Sequence, residues 1–344
     1  MINRLVRTVF LLLISCAVLQ TVAAQQEADP KFDARVAHPA YTSKHPKVLF
    51  DEAHFNFHTA SGRYKPFADL ITNDGYTVVP NKEKFQKKTL EGYDVLVIVN
   101  ALGAEKQADD NAANPAFTDE ECDAVRDWVR AGGSLLLIAD HAPFGAAAEN
   151  LAKRFGVDMS KGHTIDVNNY DQENGNNNRS FLVFSRDNKL LINHPITEGR
   201  DSTERINRVV TFTGQSLKGP EGSVAFLKLS DTAQDQQPPS KDSKLVTLDR
   251  LPNGQPLPPG VTVQGRMPGP TVSAAGRAQG IAFAFGKGRV VVLGEAAMLS
   301  AQLVTGIAAQ LMGKDEIRFG MNRAGIDNRQ LALNIMHWLS ALLN

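Results

Sequence analysis

The chain has 344 residues, 42% hydrophobic and 22% charged, and its 37 Lys+Arg are matched by 37 Asp+Glu. Such a composition is globular, and the length suits one large domain or two modest ones. The balanced charge supplies no global field that would favour nucleic acid or an anionic membrane.

Met1 to Arg7 carries Arg4 and Arg7, Thr8 to Ala23 is apolar, and Val22-Ala23-Ala24 places small residues before polar Gln25 and Gln26. This three-part pattern is that of a secretory signal. It predicts a signal peptide over 1–24, cleavage after Ala24, and a periplasmic or extracellular mature chain. Leu13-Ile14-Ser15-Cys16 offers a lipoprotein alternative, although the residues after Cys16 stay apolar. The apolar run is short for a span, and no later run reaches about 18 apolar residues. No transmembrane segment is therefore expected in the mature chain. Cleavage leaves Cys122 as the remaining cysteine, so no internal disulfide is expected.

Residues 25–46 are polar and aperiodic and read as an N-terminal tether; the domain proper is expected over 47–344. Its predicted elements alternate. Lys47 to Phe50 is a strand, Tyr64 to Asn73 a helix stopped at Gly75, Tyr76 to Val79 a strand, and Asp94 to Val99 a strand apolar on both faces. Thr118 with Glu121 forms a capping box for a helix bearing Cys122, Val125 and Val129 on one face, with Phe117 and Cys122 as a hydrophobic staple. Ser134 to Ala139 is another apolar strand and Ala146 to Phe155 the next helix. Continuous apolar strands between amphipathic helices imply a doubly wound, mostly parallel α/β sheet covered on both faces. Residues 157–279 then change character. Phe181 to Phe184, Val209 to Phe212 and Val224 to Leu227 are short strand-like runs, separated by polar stretches such as Asn174 to Asn178 and Pro252 to Pro270. This region reads as a β- and loop-rich insertion where mobility should concentrate. The core resumes with Gly280 to Phe285 and Arg289 to Gly294, a hairpin turning at Gly286-Lys287-Gly288. A final helix is capped by Asp327 and buries Leu331, Ile335, Trp338, Leu339 and Leu342.

Ligands of open parallel sheets bind beyond the carboxyl ends of the strands. The residues found there are Asp51, Glu52, His54, Asn56 and His58 after the first strand, Asn100 after the third, Asp140 and His141 after the fourth, and Glu295 after the last. His54, Asp140, His141 and Glu295 are the catalytic candidates; Asp51, Glu52, Asn56, His58 and Asn100 are the ligand-binding candidates. His54 and His58, four apart, could share a divalent metal if helical, but no Glu follows His54 in the metalloprotease arrangement. Asp140 could orient His141 or instead accept backbone N–H groups; Glu295 could be a base, a ligand or a cap from Ala296. His194 reads as a turn residue. Cys122 reads as packing. No Gly-x-Ser-x-Gly or Gly-x-Cys-x-Gly elbow follows the fourth strand, and no phosphate-cradling glycine loop follows the first.

The segments Val48 to His54, Asp94 to Ile98, Thr118 to Asp140, Gly288 to Glu295, and Asp327 to Leu339 together resemble the DUF4350-type proteins, which are similar to the class I glutamine amidotransferase-like superfamily. The resemblance covers roughly 47–156 and 280–344 and implies a flavodoxin-like core. Relatives in that superfamily include gliding-motility and intraflagellar-transport domains that bind or scaffold. The elbow cysteine of true amidotransferases is missing, so glutaminase activity does not carry over. Three expectations follow. The first is a domain binding a small polar ligand, glycan- or peptide-like, at the sheet edge. The second is a His/Asp/Glu hydrolase, with or without a divalent metal. The third is an interaction scaffold acting through the insertion.

Overall fold

The computed structural model describes residues 26–173, 177–240, 242–248, 250–251, 254–257 and 263–344. The expected signal segment with Cys16 and Gln25, and parts of the Asn174 to Asn178 and Pro252 to Pro270 stretches, lie outside them.

One large mixed α/β sheet organises the molecule. Its strands in chain order are β1 (Lys47–Asp51), β2 (Thr77–Asn81), β3 (Val95–Val99), β4 (Ser134–Ile138), β5 (Asp158–Met159), β6 (Leu217–Lys218), β7 (Val224–Lys228), β8 (Ala278–Phe285) and β9 (Gly288–Leu293). They lie in the order β2-β1-β3-β4-β9-β8-β6-β5, with β7 also paired to β8. Pairings from β2 through β9 are parallel. Those of β8 with β9, β7 and β6, and of β6 with β5, are antiparallel. The reversal is made by the β8–β9 hairpin.

Alternate residues of the parallel strands enter two cores, as a period of two requires. Val48, Phe50, Val95, Val97, Val99, Leu136 and Ile138 pack with helices α1 (Lys65–Asn73) and α4 (Asn328–Leu339). Leu49, Leu96, Ile98, Leu135 and Leu137 pack with α2 (Asp119–Ala131) and α3 (Glu149–Arg154). Pro66 opens α1, where its missing N–H costs nothing. The Thr118–Glu121 capping box opens α2 as expected, and Phe117 and Cys122 share its core. Gly288 starts β9 against the end of α2: a Cβ there would lie 2.0 Å from the Gly133 carbonyl oxygen and 2.3 Å from that of Val129, so only glycine fits.

Three expectations need correction. Residues 26–46 are no free tether. Gln26–Ala28 pairs with the strand Ala301–Thr305, which pairs with Glu316–Gly320; Phe32, Ala34, Val36 and Tyr41 pack on the α1/α4 core; and the backbone of Ala40 donates to Asp74. Apolar residues at irregular spacing secure this segment, which is why periodicity misses it. The 157–279 region is not wholly separate, because β5, β6 and β7 complete the main sheet and Phe226 and Leu227 enter its core. The unpaired edge of β8 supplies the reason: its backbone groups need partners. Finally, Asp327 stands at the start of α4 without a side-chain cap; its carboxylate instead accepts the N–H groups of Asn207 and Arg208.

Candidate functional site

Parallel register sets the carboxyl ends side by side: Val99 faces Ile138, and Ile138 faces Leu293. Asp140 and Glu295 therefore follow at matching positions on adjacent strands. The β1 and β3 loops are zipped together as Leu102 N–H donates to the His54 carbonyl (3.0 Å) and Phe57 N–H to that of Asn100 (2.9 Å). Phe55 and Asn100 take left-handed φ angles of 48° to make this possible, a strained conformation common at functional loops.

The first polar group centres on His54. Its Nδ1 lies 2.9 Å from both Asp51 oxygens and its Nε2 lies 2.9 Å from Glu121 Oε1. Asn56 and Asn81 also donate to Asp51, at 3.0 and 3.4 Å. Glu121 Oε2 accepts the Thr118 N–H of the capping box, and its Oε1 accepts the N–H of Phe85. Phe85 and Phe117 flank the imidazole at 4.7 Å each. Burial opposes a charge on His54, but the bonds and charges of Asp51 and Glu121 prevail and raise its pKa above 6.5. Burial likewise opposes ionisation of Glu121, but the N–H of Thr118 and the His54 ring lower its pKa. Each ring nitrogen faces a carboxylate oxygen, an arrangement that favours the imidazolium form of His54.

The second group is Asp140 with Glu295. Asn100 and Asp140 bond reciprocally, Nδ2 to Oδ2 at 2.7 Å and Asp140 N–H to Asn100 Oδ1 at 3.0 Å. Asp140 Oδ1 also accepts the N–H of Ala296, at 3.3 Å. Glu295 caps the turn Ala297–Leu299, accepting the N–H groups of Ala297 (2.6 Å) and Met298 (2.7 Å). Burial, opposed by the Asn100 amide and the Ala296 N–H, pushes Asp140 up to about 7. Glu295 is raised well above the carboxylate range by burial and by the charge of Asp140, against those two N–H groups. The half-buried Asp140 and the buried Glu295 are thus both shifted toward their protonated forms. Tyr64 donates to the Ala296 carbonyl at 2.5 Å, and the buried ring of His58 stacks on Tyr64 at 5.1 Å with its Nδ1 unpartnered. Burial and the Arg63 charge push His58 down to about 3, so it is neutral.

The third group is His141, whose ring stacks on that of His163 at 3.7 Å while its Nδ1 meets the Ala142 carbonyl at 2.7 Å. Burial lowers His141 to about 4 and holds His163 well below its usual value.

The strand ends thus deliver the candidates to one edge, but in separate groups. His54 is joined to Glu121 rather than to His141, and Asp140 bonds Asn100 and Ala296 rather than His141. Glu52 accepts the Ala60 N–H at 3.0 Å and Asn56 serves Asp51. His54 and His58 do not converge: one is clamped by carboxylates and the other lies on Tyr64. Among the described residues no group of three or more His, Cys, Asp or Glu is placed to hold a metal. His194 caps the turn Pro195–Glu198 through Ile196 N–H. Glu121, His163 and Gln215 are members that the sequence reading missed. Gln215 is buried and ties Lys161 N–H to the carbonyls of Ala139 and Asp140. The capping box could have flagged Glu121; nothing local marks the others. No helix of the described residues is long and apolar enough to cross a membrane.

No protein-family model matches the chain, and no curated protein matches it. Among solved structures it is similar to an mmIFT52 N-terminal domain, at 13% identity and a TM-score of 0.51, over 86% of this chain and 97% of that one. A cytoplasmic protein from Salmonella typhimurium LT2 aligns over 73% of this chain and 88% of its own, at 13% identity and a TM-score of 0.38. A ThuA-like protein from Bacteroides uniformis aligns over 88% of this chain and 95% of its own, at 14% identity and a TM-score of 0.36. The first of these likenesses concerns the fold alone.

Proposed function

We propose that this chain is an exported, non-amidotransferase α/β domain, of the doubly wound amidotransferase-like type, that binds a small polar ligand at the carboxyl edge of its sheet. One observation carries the reading. Asp51, His54, His58, His141 and Glu295 are all buried, whereas Asp140 is only half-buried and holds its proton up to about pH 7. A hydrolase needs at least an acid and a base, or a nucleophile, facing its substrate. Asp140, with the half-buried Asn56 and a Glu52 already accepting the Ala60 N–H at the same strand-end edge, is enough to orient a ligand. Export rests on the composition of the N-terminal segment.

Muramyl dipeptide, which joins a sugar to a peptide, is a suitable probe. Calorimetric titration of the mature chain should show binding, weakened roughly tenfold or more by Asp140→Asn. Binding unchanged in that variant, or none at all, refutes the reading. The hydrolase reading has one observation in its favour, the raised pKa values of Asp140 and Glu295 at matching positions on adjacent strands. Its mark would be product release with a pH profile that bends near 7 and moves in Glu295→Gln.

A further inference from the structure

The loop after the strand His163–Asp166 and the strand pair Val183–Ser185 with Arg208–Val210 surround an open hollow of about 650 Å³. Small-molecule sites usually measure roughly 300–1,000 Å³. We infer that this hollow is a second binding site, and that its ligand is a neutral, hydroxyl-rich molecule of the oligosaccharide class. None of its lining residues belongs to the sheet edge, so the inference stands apart from the reading above.

Elimination narrows the ligand. Among the described residues the walls have no free strand edge: Val183 N–H donates to the Asn169 carbonyl (2.9 Å), Asp171 N–H to that of Phe181 (2.7 Å), and Val183–Ser185 pairs on its other side with Arg208–Val210. An extended peptide therefore has no ladder to join. The lining cation is Arg208, and its charge is already met. Its Nη1 donates to Glu173 and its Nη2 to Asp171, at 3.1 Å for the latter. Arg323 holds the same Asp171 at 2.6 Å. A phosphate or sulfate would have to displace these carboxylates. Among the described residues Val183 is the one aliphatic side chain in the lining, so an apolar ligand finds little to bury.

What the hollow offers is uncommitted polar chemistry. The side chains of Asn168, Tyr170, Gln172 and Asp187 line it and engage no other group of the described residues. The two amides supply donors and acceptors together, the carboxylate accepts, and the phenol offers both a hydroxyl and a ring face. Vicinal hydroxyls on a pyranose, each a donor and an acceptor, match the amides and the carboxylate, and the C–H face of the sugar suits the ring. One uncommitted carboxylate, with Glu173 engaged by Arg208, supplies little of the set of six to eight oxygens that calcium takes.

The test is calorimetric titration of the mature chain with chitotetraose and, separately, with cellotetraose. At least one should bind with a Kd of roughly 1 mM or tighter, weakened roughly tenfold by Tyr170→Ala and by the exposed Gln172→Ala. Both variants should keep the wild-type thermal midpoint, sulfate should not compete, and Asp140→Asn should bind as wild type does. Absence of binding by both tetrasaccharides at roughly 10 mM overturns the inference. So does binding that survives both substitutions, or competition by sulfate. Loss in Asp140→Asn alone would place the sugar at the sheet edge and overturn it too, while leaving the sheet-edge reading in force.

Discussion

Replacing His54 with alanine removes the cation from between two carboxylates that barely meet solvent, Asp51 being 0% and Glu121 4% exposed. Asp51 keeps the amides of Asn56 and Asn81, and Glu121 keeps the N–H groups of Thr118 and Phe85. Neither keeps a counter-charge there, and the slot between Phe85 and Phe117 empties. Removing one partner of a buried ion pair costs roughly 3–5 kcal/mol. With an unfolding entropy of roughly 0.7 kcal/mol/K for a chain of this size, His54→Ala should lower the thermal midpoint by roughly 4–7 °C. The loss should depend on pH. Because the folded-state pKa of His54 is raised, its contribution is complete below the ordinary 6.5 and fades as pH climbs through the raised value. Because that of Glu121 is lowered, its contribution is present above the ordinary 4.5 and is lost as pH falls through the lowered value. The gap between wild type and variant should thus be widest between pH 4.5 and 6.5 and shrink on either side. Urea unfolding across that range, followed by tryptophan fluorescence and repeated on Glu121→Gln and the double variant, measures both the cost and the coupling. A His54→Ala protein with the wild-type midpoint, or a gap flat with pH, would refute the clamp.

Asp140→Asn tests the neighbouring acids. The folded-state pKa of Asp140 is raised from 3.8 to about 7, so its contribution is intact below 3.8 and lost as pH rises through 7. The variant's midpoint relative to wild type should therefore be a few degrees more favourable at about pH 8.5 than at about pH 4; the opposite trend counts against a retained proton. Cys122 is buried and its thiol is pushed up to about 12, chiefly by burial. A disulfide reagent at about pH 8 should leave it untouched in the native protein and titrate it in urea; rapid native labelling would contradict the packing of α2.

The parallel strands were legible because Val95–Val99 and Ser134–Ile138 are buried on both faces and therefore unbroken by polar residues. From their placement the crowding of acids and imidazoles at one edge followed. How those groups would pair did not. Glu121 satisfies the capping pattern within four residues, and nothing local reveals that it also meets an imidazole 67 positions earlier. His163 begins a short strand of alternating burial, so its stack on His141 is fixed only by the path of the chain between them. The small sheet of Gln26–Ala28, Ala301–Thr305 and Glu316–Gly320 went unread because its strands are short and carry polar residues. Glu295 illustrates a choice that sequence leaves open: base, ligand and cap were all admissible, and the backbone of Ala297 and Met298 takes up both of its oxygens.

That small sheet also bears on how the molecule is assembled. Gln26 lies against Val304, and the Tyr41 hydroxyl donates to Ser340 at 2.8 Å. Gln26–Ala28 thus finds its strand partner only after nearly all the other described residues have been made. A chain made in order must carry Gln26–Ala28 without its strand partner through most of its synthesis. The segment is then fastened down last, as a clasp, because the entropic cost of closing so long a loop is recovered only when the intervening layers have already drawn its ends together.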